Sequence, residues 1–199
     1  MSQVDIGLMG DVDAAAVARL HVTTISGGFL RRLGPRFMRQ LYLGIAHDPD
    51  SRVFVARDDS GVIGFCAYTG NVAGLYRRVL GARFVALAWA ALPRALSPAV
   101  IGEVLDTLRY PSKQSAAHLP PAEILSIGVD ARVRVGGVGR RLLEAALTHA
   151  RQSGVAQVKV LAGARLAAAN AFYSRCGFHQ VSTLVQHGEP LNVYVRELS

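Results

Sequence analysis

The chain has 199 residues, 51% of them hydrophobic, and a formal net charge of +8; Lys113 and Lys159 are the only lysines among its 22 basic residues. That length suits one domain with a sizeable core, and the apolar content excludes a disordered low-complexity chain. An arginine-rich surface suits a polyphosphorylated cofactor, an acidic substrate or nucleic acid, because the guanidinium fork binds phosphate bidentately; a compositional bias toward Arg and Ala is the competing explanation.

Met1 to Gly10 carry neither a basic start nor a long apolar run, so no secretory leader is expected. Cys66 and Cys176 show no metal-type spacing, and a cytoplasmic location with reduced thiols follows. Asp11 to Leu20 opens a helix, with Val12, Ala16, Val17 and Leu20 at helical spacing. A second helix covers about 34–46, with Pro35 in its first turn and Phe37, Leu41 and Ile45 on one face. Arg52–Arg57 and Val62–Thr69 read as a strand pair joined by the turn Asp58-Asp59-Ser60-Gly61.

Residues 71–120 read as a helical insertion between strands 3 and 4 on a single domain spanning 1–199, with helices near Leu75–Leu87 and Val100–Leu108 and a loop from Pro111 to Pro121. Their most apolar run, Phe84 to Leu92, is too short for a bilayer, which needs roughly 20 residues, so no membrane partner is expected. Regular structure then resumes: strand Ile124–Val129, helix Gly137–Gln152, strand Val155–Leu161, helix Leu166–Arg175 stopping at Gly177, and closing strands Phe178–Leu184 and Leu191–Arg196. The order defines an α/β fold with a mixed central sheet flanked by helices.

The segment Val129-Asp130-Ala131-Arg132-Val133-Arg134-Val135-Gly136-Gly137-Val138-Gly139-Arg140-Arg141 lies between a strand and a helix. Glycines there admit a ligand close to the backbone, and the free amides of the first helical turn converge on one place with the positive end of the helix dipole. Arg134, Arg140 and Arg141 add charge, so the segment reads as a diphosphate cradle. The dinucleotide fingerprint and the P-loop both fail on glycine spacing and the absence of Gly-Lys-Ser/Thr. A glycine-rich turn without a ligand is the alternative.

Arg134-Val135-Gly136-Gly137-Val138-Gly139 resembles the Arg/Gln-x-x-Gly-x-Gly signature of the GNAT superfamily of N-acetyltransferases, and Ile127-Gly128-Val129 resembles that family's splayed fourth strand. Ala169-Asn170-Ala171-Phe172-Tyr173-Ser174-Arg175-Cys176-Gly177-Phe178 is similar to its second motif. The resemblance covers about 122–180 and implies a GNAT-like fold with acetyl-CoA as cosubstrate and no metal. It implies cofactor contacts at Val129, Arg134, Val135, Gly136, Gly137, Val138, Gly139, Arg140, Asn170 and Tyr173. The chain departs from the family where Ala131 replaces a frequent proline, Val135 a glycine, and Leu166 an asparagine, for which Asn170 is the substitute.

Direct acyl transfer needs a neutral amine, a polarised carbonyl and a protonated leaving thiolate. By resemblance Tyr173 is the general acid, and the Val129 amide polarises the carbonyl. Glu123, in an Ala122-Glu123-Ile124 start eleven residues before Arg134, resembles the general base of the histone-acetylating branch. An exposed strand-start carboxylate is its bland alternative. Strand alternation puts Glu123, Leu125, Ile127 and Val129 on one face unless a bulge intervenes. Cys176 is weighed as a nucleophile against ordinary apolar packing, Ser126 has no identifiable base partner, and the six histidines show no metal spacing.

The acceptor is expected between about Leu20–Ala46 and the insertion, among Tyr42, Tyr76, Arg77, Arg78, Arg83, Trp89, Arg94, Arg109 and Tyr110. Arginine beside tyrosine suits an amino sugar or another small-molecule amine; a protein or peptide amine is the alternative. The same residues also suit an oligomer contact such as a homodimer. A non-catalytic acyl-CoA-binding module and a nucleic-acid-binding module are the rival functions. Nucleic acid is disfavoured, because no helix-turn-helix, zinc-finger or RNA-recognition signature is present.

Overall fold

A computed structural model describes residues 3–25, 30–79, 119–133, 136–186 and 188–198. Its elements run β1 (Asp5–Leu8), α1 (Ala14–Thr24), α2 (Gly34–His47), β2 (Ser51–Asp58), β3 (Gly61–Thr69), α3 over 72–79, β4 (Glu123–Val129), α4 (Val138–Gln152), β5 (Gln157–Gly163), α5 (Ala167–Arg175), β6 (His179–Gln186) and β7 (Glu189–Glu197). The strands form one seven-stranded sheet in the order β1-β2-β3-β4-β5-β7-β6. Among the described strands only β4 and β5 are parallel neighbours, because α4 carries the chain back across the sheet between them.

Strand alternation divides the core between the two faces. Phe54 and Ala56 of β2 face α4, whose Leu142, Leu143, Ala146, Leu147 and Ala150 recur at helical spacing and pack on Ile124, Val158 and Val160. Val53 and Val55 face the other way, with Phe65, toward Val17 of α1 and Met38 and Tyr42 of α2. Each fully buried side chain of this kind contributes about 1.5–3 kcal/mol from area removed from water. The β2–β3 turn is set by Asp58, whose Oδ1 accepts from the Ser60 amide at 2.8 Å, and by Gly61 at φ +112°.

The mixed α/β architecture read from the sequence is the one found, with most element ends within three residues of those expected. Strand β1 went unpredicted: it is an edge strand of four residues whose side chains are at most half-buried, so it lacks a hydrophobic signature. Of the expected insertion, residues 72–79 are helical, and 80–118, including the helix expected at Val100–Leu108, lie outside the described residues. Arg78 ties α3 to the start of β2, donating from Nε to Asp48 Oδ2 at 2.6 Å and from Nη2 to Asp50 Oδ2 at 2.7 Å.

Candidate active site

The sheet splits between β4 and β5. These strands pair only at Glu123 with Lys159 and Ile124 with Val160, although β5 continues to Gly163. The cause is a bulge in β4: Ile124 sits opposite Tyr68 and Ser126 opposite Ala67, leaving Leu125 as the extra residue. A cleft of about 1400 Å³ fills the split, lined by Ser126 to Val129, by Leu161 to Ala169, and by Phe172 and Tyr173. The Asp130 amide donates to Ile63 O at 2.8 Å, toward β3. Backbone groups alternate along a strand, so the Val129 and Ile127 amides face the gap that β5 has left.

Helix α4 begins at the mouth of the cleft. Its N-cap is Gly137, at φ +82°, and no side chain caps it. The Arg141 amide takes the Gly137 carbonyl at 2.9 Å, so the amides of Val138, Gly139 and Arg140 have no partner within the helix. A Cβ at Gly136 or Gly137 would meet nothing within 4 Å, and Gly139 itself lines the cleft. Val138 buries its side chain in the core while Arg140 stays exposed. Arg141, by contrast, is tied to the Val4 carbonyl at 2.9 Å. Arg134 and Val135 lie outside the described residues. The loop ahead of the helix is held by Asp130, which accepts from the Arg132 amide and guanidinium; that hydrogen bonding keeps its carboxyl down at about 2.

Tyr173 lines the cleft and is 6% exposed. Its ring packs against Phe172, Phe178 and Tyr194 at centroid distances of 5.3, 5.8 and 6.2 Å. Burial pushes its phenol well above the ordinary value, so it carries its proton at any working pH. No hydrogen bond to the described residues engages its hydroxyl. Cys176 packs in the core outside the cleft lining, and burial raises its thiol, which fits apolar packing rather than a nucleophile.

Two expected site residues are placed differently. Glu123 is 5% exposed, and its Oε2 lies 3.5 Å from Nζ of Lys159, itself wholly buried and donating to Pro120 O. The pair sits where the strands meet, and Glu123 is not among the residues lining the cleft. The bulge also reverses the expected facing. Leu125 packs with the α1–α2 cluster, whereas Ile127 and Val129 pack with the α4 cluster. Glu123 therefore does not share a face with Val129, and the structure does not bring it to Tyr173. Asn170, the other, has its amide engaged within the fold. Its Nδ2 donates to the carbonyls of Gly163 at 3.0 Å and Leu166 at 2.8 Å, and its Oδ1 accepts from Asn192 Nδ2 at 3.0 Å and Tyr194 OH at 2.9 Å. The amide is fully used in joining α5 to β5 and β7. Asn170→Ala should cost about 2–4 kcal/mol by leaving these groups unpaired, with acetyl-CoA affinity of the folded variant little changed; thermal unfolding and calorimetry check both.

Sequence reasoning assigned no role to Ser126, which lines the cleft. Its Oγ is 2.9 Å from Tyr42 OH, and Tyr42 OH is 2.7 Å from His21 Nδ1. Tyr42, expected in the acceptor wall, is instead buried, with its ring edge-on to Phe65 at 5.4 Å. Arg78 is held by Asp48 and Asp50 rather than facing an acceptor. Arg83, Trp89, Arg94, Arg109 and Tyr110 lie outside the described residues. Thr24, Arg32 and Glu189 also line the cleft, and no local motif announces them.

Burial pushes the His21 imidazole down to about 4. The unfolded chain takes up this proton near pH 6.5, so it binds more protons than the folded chain between the two values, and stability falls as pH drops through that window. The loss should approach about 3 kcal/mol by pH 4. His21→Asn, which keeps an acceptor near Nδ1 and cannot titrate, should flatten that part of the Tm profile.

Among the described residues, no group of three or more His, Cys, Asp or Glu is placed to hold a metal ion, and no helix is long and apolar enough to cross a membrane. Among the described residues the mixed sheet splits at its parallel pair, and an uncapped helix N-terminus stands at the mouth of the split. The chain belongs to the acetyltransferase (GNAT) family, a class of acetyl-CoA-dependent acyltransferases, whose sequence profile matches residues 22–178. It is 39% identical over 70 residues to a mycothiol acetyltransferase of Saccharomonospora viridis; the match spans 35% of this chain but only 23% of that protein. SsHAT superposes with a TM-score of 0.72 at 20% identity over 99% of each chain. An N-acetyltransferase from Staphylococcus aureus Mu50 superposes with a TM-score of 0.64 at 16% identity over the full length of both. At these identities the two structures share the fold.

Proposed function

We propose that this chain moves an acetyl group from acetyl-CoA directly to a primary amine of a small molecule, with an amino sugar as the favoured acceptor. The observation that carries the reading is the split between β4 and β5, which opens the Ile127 and Val129 amides and the start of α4 onto one cleft beside Tyr173. In this reading the diphosphate lies on the amides of Val138, Gly139 and Arg140, with Gly136 and Gly137 leaving room and Arg134 and Val135 completing the loop. The gap-facing strand amides polarise the thioester carbonyl. The neutral amine attacks the carbonyl carbon, the C–S bond breaks, the Tyr173 hydroxyl protonates the departing sulfur, and the proton that the nitrogen gives up passes through water in the open cleft to restore the phenol. Glu123 pairs with Lys159 where the two strands meet, outside the cleft lining, so as the base it acts through water.

A small-molecule amine is supported by the relative named for mycothiol, and the polar side chains Arg32, Gln186 and Glu189 around the open cleft suit a polar acceptor such as an amino sugar. The test is release of CoA thiol from acetyl-CoA with a panel of glucosamine, spermidine and the dipeptide Ala-Gly, followed by mass spectrometry of the product. Turnover of glucosamine with a mass gain of one acetyl group is expected. Preference for the dipeptide would transfer the reading to peptide amines, and no turnover with any amine would refute it.

A further inference from the structure

The chain Ser126–Tyr42–His21 runs from the cleft into the core on the α1–α2 side, and nothing in the acyl-CoA site uses it. The bulge creates it: the extra residue at Leu125 turns Ser126 toward Tyr42 while Ile127 returns to the α4 face. Gly128 lets the end of α1 lie against this stretch, since a Cβ there would collide with Thr24 Oγ1 and the Phe65 ring. The cleft accordingly extends past Ser126 to Val22, Thr24 and Ile25 of the α1 end.

The direction of the chain follows from the chemistry of its members. A phenol is a good donor and a poor acceptor, whereas a neutral imidazole nitrogen is a good acceptor. The 2.7 Å separation of Tyr42 OH and His21 Nδ1 is the length of an O–H donor bond and short for an N–H donor. In the arrangement these preferences favour, Tyr42 donates to Nδ1, its oxygen receives the Ser126 proton across 2.9 Å, and the lone pairs of Ser126 Oγ remain for the cleft. Burial disfavours the imidazolium, which leaves the neutral Nδ1–H tautomer as the form that would reverse this order.

We propose that Ser126 Oγ is the contact for the acceptor amine, with Tyr42 and His21 as positioning residues that fix it as a hydrogen-bond acceptor. Ser126 adjoins Ile127, whose amide opens on the acyl side of the same strand, so the amine would lie beside the thioester. As the C–N bond forms, the nitrogen gains positive charge and its N–H becomes a stronger donor. An acceptor aimed at that hydrogen stabilises the transition state more than the ground state. A hydroxyl aimed the other way would compete for the amine's lone pair.

This inference rests on the acetyl-transfer reading, and its test separates the two. In protein labelled with ¹⁵N-histidine at pH 7.5, His21, assigned by comparison with His21→Asn, should be the neutral tautomer with the proton on Nε2; a proton on Nδ1 would overturn the proposal. With glucosamine, or the best amine of the same panel, Ser126→Ala should lower kcat/KM for the amine 10- to 100-fold, and Tyr42→Phe about 10-fold. Both should keep the wild-type Kd for acetyl-CoA. The double variant should be no worse than Ser126→Ala alone, because the residues act as one chain. Losses that multiply, or an unchanged kcat/KM in folded Ser126→Ala, would refute the amine contact while leaving acetyl transfer standing. A wild-type protein that turns over no amine would end both.

Discussion

Tyr173→Phe should lower kcat by roughly 10²-fold or more, the usual loss for a positioned acid, and leave the Kd for acetyl-CoA and the Tm nearly unchanged. The ring is held by Phe172, Phe178 and Tyr194, and phenylalanine preserves those contacts. Only the hydroxyl goes, and in the protein it satisfies no described neighbour. The loss therefore falls on the step in which the sulfur leaves. Because burial holds the phenol above its ordinary value, Tyr173 contributes no ionisation to the pH–rate profile near neutrality. Pre-steady-state release of CoA thiol measures the step directly; an unchanged chemical rate would remove Tyr173 from the mechanism.

Gly139→Glu should abolish acetyl-CoA binding in a protein that still folds, with an affinity loss of 100-fold or more by calorimetry. A Cβ at this position meets Val129 Cγ2 at 3.7 Å and Phe172 Cε2 at 3.9 Å, which is ordinary contact, so the backbone tolerates a side chain. Gly139→Ala should then bind nearly normally. The glutamate differs in sending a negative charge across amides that otherwise attract phosphate, so it cancels the helix end's preference and fills its space. Gly137→Ala acts by another route: its φ of +82° disfavours any Cβ and should cost about 1 kcal/mol of stability. Equal affinity for wild type and a folded Gly139→Glu variant would move the phosphate site elsewhere.

What the sequence showed was the part written locally. Strand, glycine turn and helix follow one another within about thirty residues from Glu123, and apolar spacing fixes the face of α4. The resemblance carried by the motif ending at Gly177-Phe178 pointed to Tyr173, which lines the cleft. What escaped depends on partners far along the chain. Ser126 gains its meaning from Tyr42, 84 residues away, and no periodicity encodes that distance. Glu123 is a strand-start carboxylate in the sequence and half of a buried ion pair in the fold, because parallel pairing sets Lys159 beside it. The single extra residue at Leu125 defeated the alternation argument, since a bulge is a property of two strands and only one was being read. Asn170 resembled a ligand contact because the partners that occupy its amide, Gly163, Asn192 and Tyr194 among them, lie outside its own motif.

The narrow junction at the vertex also bears on how the molecule opens. Strands β1 to β4 and strands β5 to β7 meet through two residue pairs, and the wholly buried Lys159 with its Glu123 partner sits at that seam. Replacing Glu123 by Gln would strand the ammonium, at a cost of about 3–5 kcal/mol. So thin a seam makes the outer half of the sheet a candidate for opening as a unit, ahead of global unfolding. A cosubstrate lying in the split touches both halves and works as a rivet. Amide hydrogen exchange should therefore slow together in β4 and β5 when acetyl-CoA is added, by a factor that grows with its concentration, while β2 and its pairing with β3, already deep in one half, change least.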